Sequence, residues 1–286
     1  MGIFLQTIVN GVMLGSIYAM VALGLTLIYG ILNIPNFSHG ALYMIGAYVA
    51  YFTIVSFGAP YWIGLVVSMA ILFGTGMLLE RIAFRPLYDK PMINSFIVAV
   101  GLILIFENGA LAIWGPEFRQ FAPPSNAVIK VLGTTITMQR IVVIVAAVLL
   151  IAAVHLFIKK TRIGTAIEAT SQNRDGALLM GINVRRMGGI TFGLGTALAA
   201  VAAALVAPIL LIYPMMGAPV IGMAFVIIII GGMGSFFGAV LGGYLIGILE
   251  TLVSSYVTTY FTEAIIFGLL VVVLAIKPTG LFGKEH

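Results

Sequence analysis

The stretch Lys159–Arg186, KKTRIGTAIEATSQNRDGALLMGINVRR, holds six of the fourteen Lys and Arg residues of a chain otherwise almost free of charge. Long apolar runs flank it, Ile141–Ile158 before and Gly188–Ile212 after. A segment this polar between runs this greasy has to sit in water, so it reads as a loop joining two membrane spans. Its residues also favour helix. Gly164–Ser171 carries Ala166, Ile167 and Thr170 at helical spacing. Asn173 can cap a second piece over Arg174–Met180, with Asp175 in the first turn, where the helix dipole favours an acid, and Gly181 as the stop. The expected result is two short helices lying across the membrane surface, a stiff knob that another protein can grip.

Composition supports lipid as the solvent. Hydrophobic residues make up 62% of the 286, charged residues only 8%, and mean hydropathy is +1.18. Lipid admits only helices or closed barrels, and barrel strands would alternate polar with apolar residues. Here the runs are continuously apolar, which predicts an all-α polytopic membrane protein of about eight to ten transmembrane helices, some broken or short. It is expected to form a single transmembrane domain over residues 1–286, with the polar loop 159–187 inside it. The pairs Gly11 and Gly15, Gly189 and Gly193, Gly238 and Gly242, and Gly243 and Gly247 have the spacing that lets helices pack closely. Cysteine is absent, which excludes disulfides and thiolate metal sites. The N-terminus lacks the basic region of a signal peptide, so the first span is expected to be retained. No G-x-x-x-x-G-K-[ST] loop occurs, so the chain is not expected to bind nucleotide itself.

A hydrocarbon core of about 30 Å needs roughly 20 residues of helix. Candidate spans are Phe4–Tyr29, Ser38–Val55, Trp62–Leu79, Ile93–Ile113, Ile141–Ile158, Gly188–Ile212, Val220–Gly232, Gly238–Ser254 and Thr262–Ile276. Placing the Lys159–Arg186 loop in the cytosol also puts Arg81, Arg85 and Lys90 there, together with the tail carrying Lys277 and Lys284. The N-terminus then lies outside, and only the sparse set Arg119, Lys130 and Arg140 stays external.

Two spans are interrupted. Asn33-Ile34-Pro35-Asn36-Phe37-Ser38-His39-Gly40 breaks a long apolar stretch; Pro35 removes a backbone donor and Ser38 can cap the next helix. Val220–Gly232 is short and runs into Met233-Gly234-Ser235. Irregular backbone at membrane depth survives only where protein or a water-filled cavity satisfies it. Each interruption is therefore either a broken helix beside a central path or a tight turn between spans. Asn10, Asn33, Asn36, Ser38 and His39 gather polar groups in the first two spans, and Glu107, Asn108 and Glu250 add intramembrane polar groups near span ends. A charge inside a span costs about 2.5–3.5 kcal/mol on insertion scales, so these are candidates to line a translocation path. A neutral His39 reads better as a hydrogen-bonding group at the break than as a metal ligand, and no metal site is expected. A hydrolase built on Ser235 and His39 would need an oriented base, which nothing supplies.

Several separated blocks resemble the branched-chain amino-acid permease family of ABC importers. They are Asn36-Phe37-Ser38-His39-Gly40 with Gly46-Ala47-Tyr48; Glu80-Arg81 followed by Arg85-Pro86-Leu87; Gly164, Ala166, Asp175, Ala177, Gly181 and Ile182; Gly231-Gly232-Met233-Gly234-Ser235 with Gly238-Ala239 and Gly242; and Lys277-Pro278-Thr279-Gly280-Leu281-Phe282-Gly283. The match spans essentially the whole chain and is closest to the subunit lacking a long N-terminal extension. Glu168-Ala169 departs from the commoner Arg-Ala, and Lys277 stands where Arg is commoner. The resemblance implies a type II-like importer permease in a bacterial inner membrane. Its partners would be a homologous second permease, two cytosolic ABC ATPases that carry the ATP and Mg, and a periplasmic binding protein delivering leucine, isoleucine or valine. It also implies that this chain binds no cofactor and is not an enzyme. Coupling to the ATPases would fall to Ile163, Gly164, Ala166, Glu168, Ala169, Asn173, Arg174, Asp175 and Gly181. Urea or short-amide import by the same kind of machine, or a secondary transporter or channel, stays open on these residues.

Overall fold

A computed structural model describes residues 2–32, 35–88, 90–131 and 134–283. Every one of the nine expected spans falls on a helix. They are α1 (Gly2–Leu32), α2 (His39–Tyr51), α3 (Tyr61–Leu79), α4 (Met92–Trp114), α5 (Met138–Lys160), α8 (Val184–Val206), α9 (Gly217–Gly231), α10 (Phe236–Tyr256) and α11 (Thr262–Ile276). The polar loop supplies α6 (Arg162–Gln172) and α7 (Arg174–Leu179). Among the described residues seven helices are long and apolar enough to cross a membrane, while α9 and α11 are shorter, with 15 residues each. At 1.5 Å per residue each of those two reaches about 22 Å, less than a full hydrocarbon core.

Helices α1 and α8 form the centre: 83% and 89% of their apolar windows are buried, against 11% for α4 and α5. Small residues make that centre possible. A Cβ on Gly15 would lie 2.8 Å from the Tyr244 Cα, and one on Gly243 would lie 2.6 Å from the Ala19 Cα, so α1 and α10 meet backbone to backbone. Gly24 and Gly195 do the same between α1 and α8. The spacing motifs in α1 and α10 are thus packing surfaces.

The first interruption is a buried break. Gly24, some eight residues before the end of α1, faces the His39 ring, so α2 begins well inside the bundle. Asn36, Ser38 and His39 are fully buried. Ser38 is the residue before α2, yet its side chain does not cap the helix. Asn36 does the local work instead: its Oδ1 accepts from the Ser38 N–H at 3.1 Å and from the Ser38 hydroxyl at 2.6 Å. Ser38 sits with φ −71° and ψ −3°, already helical, so its hydroxyl is not placed to reach forward. Asn33 and Ile34 lie outside the described residues.

The sixth span is shorter than expected. Helix α8 stops at Val206, because Pro208 cannot continue the ladder, and the chain turns irregular. Ile212 there pairs both ways with Arg119, at 2.9 and 2.8 Å. Only at Gly217 does α9 start, with Gly217 and Ile221 packed on Gly40 of α2. The second interruption therefore precedes α9 as well as following it. At its other end, Gly232 and Gly234 adopt φ of 96° and 82°. The tail closes over them: the N–H groups of Leu281 and Phe282 donate to the carbonyls of Ile230 and Gly231 at 2.7 and 3.1 Å. This answers the orphan acceptors at the end of α9, and it makes the late glycine segment and the closing motif one unit.

An antiparallel hairpin, absent from the expected all-helical pattern, joins α4 to α5. Strands β1 (Val128–Val131) and β2 (Thr134–Thr137) pair with Ile129 opposite Ile136, and the Thr134 hydroxyl donates to the Gly2 carbonyl at 3.0 Å. It sits at the start of α1, on the end of the bundle opposite the polar loop.

Candidate functional site

The polar loop is rigid for local reasons. Thr161 caps α6 by accepting from the Gly164 N–H at 2.9 Å, and Asn173 caps α7 by accepting from the Gly176 N–H at 2.8 Å. Gly181, at φ 78°, lets the chain leave α7. Helix α6 then lays one face on the bundle. Ile167 packs with Ile31 of α1 and Met187 of α8, with Ala166, Phe157 and Ile182 around them. Gly164 is forced: a Cβ there would overlap the Phe157 carbonyl and the Ile158 backbone. Gly164 therefore anchors the loop, and Ala166, half-buried like Glu168 and Ala169, packs beside Ile167.

The expected contact residues divide. Ile163, Asn173, Arg174, Asp175 and Gly181 are exposed, while Glu168 and Ala169 are half-buried. Glu168 is engaged within the chain, its Oε1 2.6 Å from the Lys159 Nζ. The most exposed apolar tip was missed by sequence reasoning. Leu178, Leu179 and Met180 are 52%, 89% and 83% exposed at the end of α7. A Leu-Leu-Met run inside a polar loop was the available signal, since three such side chains in water invite a partner.

A second feature lies under the loop. Past the end of α3 the chain makes a π turn over Glu80–Phe84 and then a 3-10 turn over Arg85–Leu87. Glu80 is completely buried there. Arg85 grips it with both ends of its fork, Nη2 to Oε2 at 2.6 Å and Nε to Oε1 at 3.2 Å. The Tyr88 hydroxyl donates to Glu80 Oε1 as well. Burial first, and then the bond to Glu80, push the Tyr88 phenol well above its ordinary range, so it stays a donor. Three links leave this cluster. Arg85 Nη2 donates to the Arg185 carbonyl at 3.2 Å. Gly188 and Gly189 of α8 leave the room it occupies, since a Cβ on Gly188 would sit 2.6 Å from the Tyr88 oxygen. The Arg174 guanidinium of α7 lies over the Tyr88 ring, 5.3 Å from its centre. One buried carboxylate thus ties the end of α3 to the start of α8 and to the loop.

The intramembrane candidates do not converge on a single site. Asn36, Ser38 and His39 cluster at the first break, beside Phe37, which stacks on Phe225 at 4.3 Å. Asn10 and Glu250 belong to the packed pair α1 and α10; Asn10 Oδ1 and Glu250 Oε2 are buried without a hydrogen-bond partner among the described residues, and Tyr18 neighbours the Glu250 carboxylate. Glu107 and Asn108 stand apart on the peripheral α4, where Asn108 Nδ2 bonds its own helix at Leu104. Ser235 caps α10 by accepting from the Gly238 N–H at 3.1 Å, a structural use of its hydroxyl.

Comparison with known proteins agrees with this architecture. The family described as branched-chain amino acid transport system, permease component, matches residues 7–274. The high-affinity branched-chain amino acid transport system permease protein LivH of Escherichia coli (strain K12) is 35% identical, over 99% of this chain and 96% of that protein. The corresponding permease protein BraD of Pseudomonas aeruginosa is 32% identical, over 99% and 97%. Among solved structures, PsaBC from Streptococcus pneumoniae in complex with Fab matches with a TM-score of 0.51 and 14% identity, over 96% of this chain and 92% of that one, which is a likeness of fold. With the family matched from near one end to near the other, and with the apolar helices to span a bilayer several times, this chain is a multi-pass membrane protein belonging to the branched-chain amino acid transport system permease family.

Proposed function

We propose that the chain is the membrane-spanning subunit of an ATP-driven importer for leucine, isoleucine and valine. It would form half of a translocation path with a homologous second permease, while two cytosolic ABC ATPases hydrolyse Mg-bound ATP and a periplasmic protein delivers the amino acid. The observation that carries this reading is the anchored α6–α7 loop with its exposed Leu178–Met180 tip, tied through Arg174 and Tyr88 to the buried Glu80. A loop stiff at its base and apolar at its tip can receive force from a soluble partner and pass it to α3 and α8. The basic residues Arg81, Arg85, Lys159, Lys160, Arg162, Arg174, Arg185 and Arg186 share one end of the bundle with that loop, which supports a cytosolic loop and C-terminus and an external N-terminus in a bacterial inner membrane. Coupling contacts are assigned to Ile163, Glu168, Ala169, Asn173, Arg174 and Asp175 around that tip. The path is placed beside the two interrupted helices, near Asn36, Ser38 and His39, with Asn10 and Glu250 in its outer half.

The test is reconstitution of the complete assembly in liposomes. Uptake of labelled leucine should require ATP and the binding protein, and unlabelled isoleucine and valine, but not urea, should compete. Uptake without nucleotide or partner subunits would overturn the importer reading; competition by urea or acetamide alone would overturn the substrate. Topology is testable separately, because the chain has no native cysteine. Leu179→Cys should react with an impermeant thiol reagent only from the cytosolic face, and Tyr260→Cys, at a site 95% exposed, only from outside. The reverse pattern would invert the proposed orientation.

A further inference from the structure

The coupling cluster borders an open cavity of about 490 Å³ between the end of α3 and the start of α8. Four arginines line it, Arg81 and Arg85 from the α3 side and Arg185 and Arg186 from α8, with Asn183 beside them. Its remaining wall is apolar or bare: Gly74, Met77, Leu78 and Gly189. Among the described residues only Arg85 of the four meets an acid, Glu80, while Arg81, Arg185 and Arg186 have no carboxylate partner and are exposed. Arg185 and Arg186 moreover occupy the first turn of a 23-residue helix that carries no acidic residue there. That is where the helix dipole disfavours cations, so the protein gathers positive charge at a place its own structure opposes. An anion from outside the chain resolves both problems.

The cavity's position identifies the source of that anion. Gly74, Met77 and Leu78 lie on the flank of α3 within its apolar stretch, continuous with the outward-facing Ile71 and Ile82. A Cβ on Gly74 would meet nothing within 4 Å, so the groove is open along the helix. A soluble protein reaches helix ends, whereas a lipid reaches a helix flank. We propose that this cavity binds an anionic phospholipid, its phosphate between Arg81, Arg185 and Arg186 and an acyl chain along Gly74, Met77 and Leu78. Basic pockets between helices on the cytoplasmic side suit such headgroups. Because Arg85 also holds the Arg185 carbonyl, the bound lipid would brace the same two helix ends that Glu80 joins. The assignment to the cytoplasmic leaflet rests on the orientation proposed above; the binding itself does not.

The experiment is lipid retention by the purified complex, read by native mass spectrometry and by titration with phosphatidylglycerol or phosphatidylcholine in nanodiscs. Wild type should retain phosphatidylglycerol over phosphatidylcholine. Arg81→Gln with Arg186→Gln should weaken phosphatidylglycerol binding roughly thirtyfold, from two lost charges near the surface. If that double variant aggregates, each single variant carries the test at about fivefold. Lys90→Gln with Lys160→Gln removes the same charge elsewhere on this face and should change binding little. Equal loss in both doubles would reduce the effect to diffuse surface charge and overturn the site. Equal competition by inorganic phosphate would make it a soluble-anion site and overturn the lipid assignment. Unchanged lipid binding with loss of ATPase subunits from the Arg81, Arg186 variant would assign the arginines to a protein interface instead. None of these readouts needs transport, so failure of the importer reading would leave them interpretable.

Discussion

Glu80→Gln tests whether the buried carboxylate transmits work. The substitution keeps shape and removes charge, so packing around Phe84 and Gly188 is preserved while the grip on Arg85 and Tyr88 is weakened. Breaking a buried ion pair costs about 3–5 kcal/mol. Arg85, however, is 29% exposed, and water recovers part of its solvation. The glutamine oxygen also still accepts one bond. A loss of about 2 kcal/mol is the working figure. That is a roughly thirtyfold shift away from the state in which α3, α8 and the loop are joined.

The assay measures ATP hydrolysis and amino-acid uptake in the same liposomes. With the loop tip untouched, the ATPases should still bind and hydrolyse, while uptake per ATP falls at least tenfold. Tyr88→Phe removes one hydrogen bond to a charged group, about 1.5–3 kcal/mol, and should move the ratio in the same direction by a comparable amount. Gly188→Ala attacks from the other side, because its methyl would sit 2.6 Å from the Tyr88 oxygen. The three should be less than additive when combined, since they act on one cluster. A wild-type ratio of uptake to hydrolysis in Glu80→Gln, in protein of normal stability, would refute the reasoning.

Four further outcomes are expected. Leu179→Asp alters a side chain 89% exposed, so the fold should survive, but the loss of about 1.5–3 kcal/mol of apolar burial on docking should cut ATPase co-purification at least tenfold. Glu168→Arg and Asp175→Arg should weaken ATPase association or uncouple hydrolysis from uptake; intact uptake and complex formation in both would remove these acids from the contact. Loss of the solvent-accessible Glu168–Lys159 pair, with Glu168 itself half-buried, is by itself worth only about 0–1 kcal/mol, so Glu168→Gln should leave thermal stability nearly unchanged. Gly243→Val drives a side chain into the Ala19 backbone and should cost about 1–3 kcal/mol or the fold outright, visible as early aggregation on heating in detergent.

The nine spans were legible because lipid imposes a length and a composition that few other structures share. Where the reading slipped, the deciding contact was distant in sequence. Hydropathy carried the sixth span to Ile212, but that residue pairs with Arg119, over ninety positions away, and Pro208 had already ended the helix. Ser38 and Asn36 are both capable caps, and choosing between them requires knowing where α2 starts, which Gly24 and Gly217 settle by packing. The β1–β2 hairpin is too short to register against apolar runs five times its length. In the loop, the caps Asn173 and Gly181 were readable because capping is local. The exposed Leu178–Met180 tip was not, since a helix as short as α7 offers no periodicity to say which apolar residues stay outside.

The Glu80 cluster was illegible for a more specific reason. On an α-helix, residues five apart project about 140° from one another, so Glu80 and Arg85 do not read as a pair. The π turn over Glu80–Phe84 removes that separation: the Arg85 N–H bonds the Glu80 carbonyl, and the two side chains come onto one side. Pro86 then cannot extend the ladder, and the 3-10 turn it occupies brings Tyr88 back to the same carboxylate. The block Glu80-Arg81 followed by Arg85-Pro86-Leu87 is therefore a structural sentence whose meaning depends on an uncommon helix. Its residues specify a bend that buries one acid between one arginine and one phenol, directly under the loop that a motor would push. Were those residues α-helical instead, Arg85 would face away from Glu80, the acid would be left buried and unpaired, and the end of α3 would lose this polar tie to α7 and to the start of α8, leaving only the mid-helix bond from the Thr196 hydroxyl to the Leu72 carbonyl among the described residues. The departure from α geometry is thus what converts a charged span end into a joint.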